Sequence, residues 1–119
     1  MMNSPTFVGI GEVLYDIFED GTETMGGAPL NFAVHVHQLA MQLGLGQGII
    51  VSCINHDHRG KKILDSLCRL GMSTRYLEKD SSHPTGLVSV LMRNGEPGYQ
   101  IERESAWDYI ADRPEHKEL

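Results

Sequence analysis

The sequence predicts an α/β domain built on a partial parallel sheet, and three observations predict it. Two apolar, β-branched runs, at residues 7 to 16 and 47 to 54, read as buried strands. Each is followed by a segment of helical period, the first over residues 30 to 43 and the second after Asp57. Strand, helix, strand, helix in that order gives parallel pairing with right-handed crossovers.

The first run, Phe7 through Asp16, turns from apolar to acidic at its end, so it is expected as one strand with Asp16 at its carboxyl end. In an open α/β sheet ligands sit beyond the carboxyl ends of the strands. An ionised Asp there accepts hydrogen bonds through both oxygens, which suits a pair of ligand hydroxyls. Asp20-Gly21 then marks a turn between two brief strands.

The run Met25-Gly26-Gly27-Ala28-Pro29-Leu30-Asn31 joins a backbone without side-chain bulk to a polar amide at a helix start. Gly26 and Gly27 let backbone groups approach a ligand and allow positive φ, while Pro29 presets the first helical turn. Asn31 projects from that turn. With Asp16 they make up the candidate ligand-binding set: Asp16, Gly26, Gly27 and Asn31.

Along the helix, Phe32, Val36, Leu39 and Leu43 recur at spacings of four, three and four, so this stripe is expected to face the core. Gly44 stands where a carboxyl cap belongs. Residues 47 to 54 form the second buried strand. Asp57 is placed to cap the next helix, whose apolar face is Ile63, Leu64, Leu67, Cys68 and Leu70, with Gly71 ending it.

Residues 74 to 78 read as a further short strand, and 86 to 93 with 99 to 102 as a hairpin around a five-residue turn. Residues 111 to 119 are polar, contain Pro114 and show no apolar period, so they are expected as a frayed terminus.

At 119 residues there is room for one small domain. A formal charge of −6 with no Lys/Arg cluster argues against nucleic acid as a partner. No stretch approaches the ~20 apolar residues of a membrane span, and the amino terminus lacks a basic region before an apolar core. The expected location is cytoplasmic, with no membrane contact, and Cys53 and Cys68 are expected as reduced, buried thiols.

Two motifs invite chemistry that their surroundings do not support. Gly9-Ile10-Gly11 starts like a dinucleotide fingerprint, but position 14 is Leu and no helix follows at once. Cys53, His56, Asp57 and His58 cluster without a matching second pair of ligands, and His35 and His37 point to different helix faces. No metal site and no catalytic residue is assigned.

Taken together, Gly11-Glu12-x-Leu14-x-Asp16 and Gly26-Gly27-Ala28-Pro29-x-Asn31-x-Ala33 resemble the PfkB/ribokinase family of carbohydrate kinases, with Pro29 leaning towards its fructokinase-like branch. Asp57-x-x-Gly60, Leu70-Gly71-Met72, Pro84-Thr85-Gly86, Asn94-Gly95-Glu96 and Ala106-Trp107-Asp108 follow the family's order and approximate spacing, so the resemblance covers nearly the whole chain. One departure is Ile54-Asn55-His56-Asp57, where family members commonly have Val-Gly-x-Asp.

The resemblance implies a ribokinase-like fold: a partial parallel, Rossmann-like sheet with helices and a small β lid, its strands at about 17–25 and 86–104, incomplete at the carboxyl end. It further implies a sugar as the small-molecule partner, with Asp16 accepting from its hydroxyls, Asn31 donating and accepting, and the Gly26-Gly27 backbone closing the pocket floor. The complete family enzyme uses ATP and Mg. The family's Gly-Ala-Gly-Asp element, which carries the catalytic base and an anion hole, has no counterpart in residues 87 to 119. The chain alone is therefore expected to bind ATP poorly and not to turn over. The alternative is a non-catalytic truncated module, or a homodimer assembled through lid strands.

Overall fold

The computed structural model describes residues 4–119. Among them, seven strands and two α-helices follow in the order β1 (Thr6–Ile10), β2 (Leu14–Phe18), β3 (Glu23–Gly26), α1 (Ala28–Leu43), β4 (Gln47–Ile54), α2 (His58–Arg69), β5 (Leu77–Lys79), β6 (Gly86–Arg93) and β7 (Glu96–Ile101). Two 3₁₀ turns, Ala106–Tyr109 and Pro114–Glu118, close the chain.

The strands divide between two sheets. The first, in the order β1-β4-β5, is parallel throughout, with Val8 opposite Ile49 and Cys53 opposite Glu78. The second runs β3-β2-β6-β7, with β2 and β6 parallel in the middle and antiparallel partners on the outside.

The apolar run 7–16 is thus not one strand. Gly11 takes φ 137°, a conformation that side chains rarely adopt, and Gly11 to Val13 lead the chain out of the first sheet and into the second. The Gly11 amide still donates to Val51 O at 3.2 Å, and its carbonyl accepts from the Ser52 hydroxyl. Asp16 consequently belongs to the four-stranded sheet rather than to the end of a strand in the parallel one.

Helix α1 also turns a different face inward than its apolar stripe predicts. Leu30, Ala33, His37 and Ala40 are buried, while Phe32, Leu39 and Leu43 stay half or more exposed. The reason lies in β4. A Cβ at Gly48 would come within 2.3 Å of Ala33 O and 2.8 Å of His37 Cβ, so helix and strand are in backbone contact and only small residues fit between them. The Gly48 amide donates to His37 Nδ1 at 3.1 Å, which satisfies one polar atom of this buried ring. Gly44, at φ 65°, ends the helix, with the Leu45 amide donating to Ala40 O at 2.8 Å.

One core cluster joins Leu30 and Ala33 of α1, Ile50 and Ile54 of β4, and Ile63 and Leu67 of α2, together with Val13 and Tyr15. Each such fully buried Leu or Ile contributes about 1.5–3 kcal/mol relative to exposure. On the opposite face of the sheet, Ile49 and Val51 pack with Tyr76 and Ile110.

Two further segments differ from expectation. The β6-β7 hairpin closes through a two-residue turn, since Arg93 pairs with Glu96; Asn94 at φ 52° and Gly95 at φ 79° are the two left-handed residues of a type I′ turn. The short strand after α2 is Leu77–Lys79, shifted from the expected 74–78 because the Leu77 amide is first drawn into a turn on Thr74 O.

The carboxyl-terminal segment is anchored rather than frayed. The Arg113 guanidinium donates to the buried carboxylate of Glu78, which also accepts from the Ala111 amide at 3.1 Å. Arg75 makes a two-pronged pair with Glu118 at 2.6 and 2.9 Å, and the Tyr76 hydroxyl donates to the same carboxylate at 2.9 Å.

Candidate functional site

The site residues assigned from the sequence are placed by the junction of β2, β3 and the start of α1. Leu14 pairs with Gly26 and Asp16 with Thr24, so Asp16 and Gly26 are diagonal neighbours on one face of the sheet. A Cβ at Gly26 would lie 2.8 Å from Asp16 Oδ2. The carboxylate therefore occupies the space that a side chain at position 26 would need.

Gly27 repeats the relationship with a second acidic residue. It sits at φ 105° as the residue before α1, and a Cβ there would come within 2.4 Å of Glu12 O and 3.1 Å of Glu12 Cγ. Gly27 offers no side chain to cap the helix; Glu12 Oε1 accepts from the Ala28 amide instead, at a long 3.4 Å. Glu12 is the residue that sequence reasoning left out of the site. Its signal was present, an acid adjoining Gly11 in the same motif as Asp16.

Asn31 lies in the first turn of α1. Its amide donates to Gly27 O at 2.9 Å, and its side chain stands on the exposed side of the helix. Asp16, Gly26, Gly27 and Asn31 thus lie along one strand-turn-helix path, with Asp16 against Gly26.

Gly9 and Gly11 have a packing role. A Cβ at Gly9 would come within 2.4 Å of Pro29 O, and one at Gly11 within 2.9 Å of Pro29 Cγ, so both glycines seat the first turn of α1. A nucleotide phosphate would have to share the neighbouring glycine turn with two carboxylates, Glu12 and Asp16.

A second polar cluster fixes the four-stranded sheet to the parallel one. Asp57 precedes α2, and its Oδ1 accepts from the Gly60 amide at 2.8 Å. The same carboxylate accepts from the Thr85 hydroxyl at 2.6 Å and the Thr85 amide at 3.0 Å. Thr85 Oγ1 in turn accepts from the Asn55 amide at 3.0 Å, and Asn55 Nδ2 donates to His83 O at 2.7 Å. Burial opposes ionisation of Asp57, but the hydrogen bonds from Thr85 and Gly60 together outweigh it and hold the carboxyl below its ordinary value. Capping and clamping account for every oxygen of Asp57.

Flanking this joint, Arg59 of α2 pairs with Glu23 of β3 at 2.6 Å, and Lys62 Nζ lies 5.1 Å from the centroid of the Tyr15 ring. Burial raises the Tyr15 hydroxyl above its ordinary pKa, with Glu23 adding to the effect.

Among the described residues, no three His, Cys, Asp or Glu side chains are placed to hold a metal ion. Cys53 is a free, buried thiol whose pKa burial pushes up; Cys68, expected to be buried, is free and exposed. Also among the described residues, no helix is long and apolar enough to cross a membrane.

A parallel sheet carrying a glycine-started helix, with a four-stranded sheet set against it, is the ribokinase-like sugar-kinase fold, and the chain spans only part of it. The chain is a homologue of an uncharacterized sugar kinase from Pyrococcus horikoshii, 29% identical over 108 residues, covering 82% of this chain and 33% of that protein. The crystal structure of that kinase superposes with a TM-score of 0.74 at 26% identity, over 87% of this chain and 36% of the other.

A fructokinase with bound ATP from Xylella fastidiosa gives a TM-score of 0.72 at 27% identity, over 86% of this chain and 32% of that one. The fructokinase of Halothermothrix orenii, at 24% identity, shares the fold with a TM-score of 0.82 over 96% of this chain and 43% of its own. No protein-family model matches the sequence. The chain therefore spans about a third of the length of the curated relative it matches.

Proposed function

We propose that this chain is the acceptor-binding portion of an ATP-dependent carbohydrate kinase of the fructokinase-like branch. In that reading Asp16 accepts hydrogen bonds from sugar hydroxyls, the Asn31 amide donates and accepts, and the backbone of Gly26 and Gly27 forms the pocket floor.

One observation carries the reading: the Asp16 carboxylate fills the gap at Gly26, with Glu12 set against Gly27 beside it. Two acids at one glycine turn favour a neutral ligand rich in hydroxyl donors and repel an anionic one. A sugar meets that requirement, and a nucleotide phosphate does not.

In the complete kinase the γ-phosphoryl group of ATP passes to a sugar hydroxymethyl, a transfer that depends mainly on positioning and on stabilising charge. When bound with Mg, ATP supplies the phosphoryl group. The two carboxylates at the glycine turn, Asp16 against Gly26 and Glu12 against Gly27, do not suit the phosphates of that nucleotide. What this chain contributes is the orientation of the acceptor, and by itself it binds sugar without turning over.

Calorimetric titration with fructose and ribose, alongside a coupled assay of ADP release, tests both halves. Heat of binding that disappears in Asp16→Ala is expected. Sugar-dependent ADP release from this chain alone would overturn the inactivity, and sugar binding indifferent to Asp16 would overturn the site.

A second reading, pairing of two chains through lid strands, is favoured by β7, which is exposed along all six residues and has no strand on its outer edge among the described residues. A discrete monomer in size-exclusion chromatography counts against it.

A further inference from the structure

We propose that the notch between β2 and α2, lined by Tyr15, Lys62, Asp65, Ser66 and Arg69, binds a phosphate group, free or carried by a small phosphorylated sugar. The site is separate from the candidate acceptor pocket and does not depend on the sugar-kinase reading.

Successive residues of a strand point to opposite faces of the sheet. Asp16 lies against Gly26, and Tyr15 faces the other way, into the core cluster shared with α1 and α2. Whatever occupies the notch therefore sits behind the strand that carries Asp16, not with the acceptor.

Helix geometry builds the wall opposite Tyr15. Lys62, Asp65, Ser66 and Arg69 follow at steps of three, one and three, which sets them on one face over two turns. The two cations are far enough apart in sequence that no basic run announces them; the helix brings them together.

Both cations are available to a ligand. Asp65 precedes Arg69 by four residues, the favourable order for a pair within a helix, yet neither Arg69 nor Lys62 forms an ion pair with any described carboxylate. Lys62 Nζ rests instead 5.1 Å from the centroid of the Tyr15 ring. Glu23 also acts on the phenol, but Arg59 already neutralises it at 2.6 Å. With two cations against the single carboxylate of Asp65, the notch is locally positive on a chain of formal charge −6.

The hydrogen-bonding groups suit an oxyanion. Tyr15 is 4% exposed, and its hydroxyl makes no hydrogen bond with any described residue. Buried hydroxyls are ordinarily paired, so a phenol that opens on a notch is a donor without its acceptor. Burial, with Glu23 adding to it, raises its pKa and keeps the proton on the oxygen. The Ser66 hydroxyl and the Arg69 guanidinium add donors of the kind that phosphate oxygens accept from. Asp65 is the one acceptor, and it suits a hydroxyl on a phosphate-bearing ligand.

Size narrows the class further. At about 210 Å³ the notch is smaller than the sites of about 300–1,000 Å³ that enclose drug-sized ligands, which leaves room for a phosphate or a small sugar phosphate but not to enclose a nucleotide.

The test titrates inorganic phosphate and fructose 6-phosphate into isotope-labelled chain, with chloride at matched ionic strength as the control. Amide resonances of Tyr15 and of residues 62 to 69 are the readout, which needs neither ATP nor turnover. Saturable shifts with both phosphates and none with chloride are expected. Lys62→Met and Arg69→Met, both at exposed positions, should each weaken phosphate binding about tenfold or more, the loss of one charged hydrogen bond. Arg69→Lys should recover part of that loss. Tyr15→Phe, which keeps the ring, should weaken binding about fivefold.

Tighter binding of fructose 6-phosphate than of inorganic phosphate assigns the site to a phosphorylated sugar, and equal binding assigns it to free phosphate. Shifts that chloride reproduces overturn the proposal, as does a phosphate affinity unchanged in Lys62→Met and Arg69→Met. Failure of fructose to bind at Asp16 sinks the functional reading and leaves these shifts in place.

Discussion

The Thr85 hydroxyl donates to Asp57 Oδ1 over 2.6 Å, and the Thr85 amide donates to Oδ2 of the same carboxylate over 3.0 Å. Asp57 opens α2 and Thr85 leads into β6, so one side chain caps a helix packed on the three-stranded sheet and holds the residue that precedes a strand of the four-stranded one. Substituting Asp57→Ala removes the cap and leaves the buried Thr85 hydroxyl without its acceptor. A loss of about 2–4 kcal/mol is expected from a cap and a charged hydrogen-bond pair. Thr85→Val should cost about 1–2 kcal/mol. The double variant should lose less than the sum, which urea denaturation would measure.

The depressed pKa of Asp57 gives that joint a pH dependence. Burial works against the charge, but the hydrogen bonds from Thr85 and Gly60 prevail, so the folded value lies below the ordinary 3.8. A lowered folded pKa means stability that is fully present above the unfolded value and lost as pH falls through the folded one. Stability should therefore decline as pH drops below 3.8, and Asp57→Asn should flatten that limb while lowering the neutral plateau. A steep acid limb retained in Asp57→Asn would assign the effect to other carboxylates.

The two glycines ahead of α1 should respond differently to a methyl group. In Gly26→Ala the added carbon would meet Asp16 Oδ2, the end of a side chain that can swing away, so the fold should survive while sugar binding weakens. In Gly27→Ala it would meet the Glu12 carbonyl at 2.4 Å, at φ 105°. Backbone cannot yield as a carboxylate can, and a cost of about 2 kcal/mol or more is expected there. Melting temperatures and fructose titrations of the two variants, measured side by side, would separate a site effect from a folding effect.

Glu78 is buried with Arg113 as its charged partner. Removing the guanidinium in Arg113→Ala leaves the carboxylate with one backbone donor, Ala111, and should release the carboxyl-terminal segment at a cost of about 1–3 kcal/mol. Limited proteolysis should then cut between residues 110 and 119 in the variant and spare the parent. Equal resistance in both would mean that Tyr76 and Arg75, through Glu118, hold the segment unaided.

How far the sequence could be read depended on the range of the interactions. The Asp57 cap, the Gly44 stop and the β4 strand were legible because each is decided within a few residues. The inward face of α1 was not, because the stripe of Phe32, Val36, Leu39 and Leu43 is more apolar than the face that packs. Gly48 selects small residues over greasy ones, and a periodicity argument weighs apolarity, not room. The break at Gly11 was hidden for a related reason: the residues on both sides are apolar, and only the left-handed backbone between them separates the sheets. The pairs that fix the carboxyl-terminal segment join residues about forty positions apart, beyond any local pattern. Within the candidate site, Asp16 and the glycine turn were legible from their motif, whereas Glu12 needed the geometry at Gly27 to be seen.

The chain crosses between the two sheets at three places, Gly11 to Val13, Gly27 and the stretch from Asp80 to Thr85, and a fourth connection, Glu102 to Ser105, brings the turn Ala106–Tyr109 back against β4. A plate bolted at four corners cannot swing like a door. Any opening of the four-stranded sheet over a ligand must be a shallow sliding, shared among all four bolts, and ligand entry here becomes a matter of shear rather than of a single hinge.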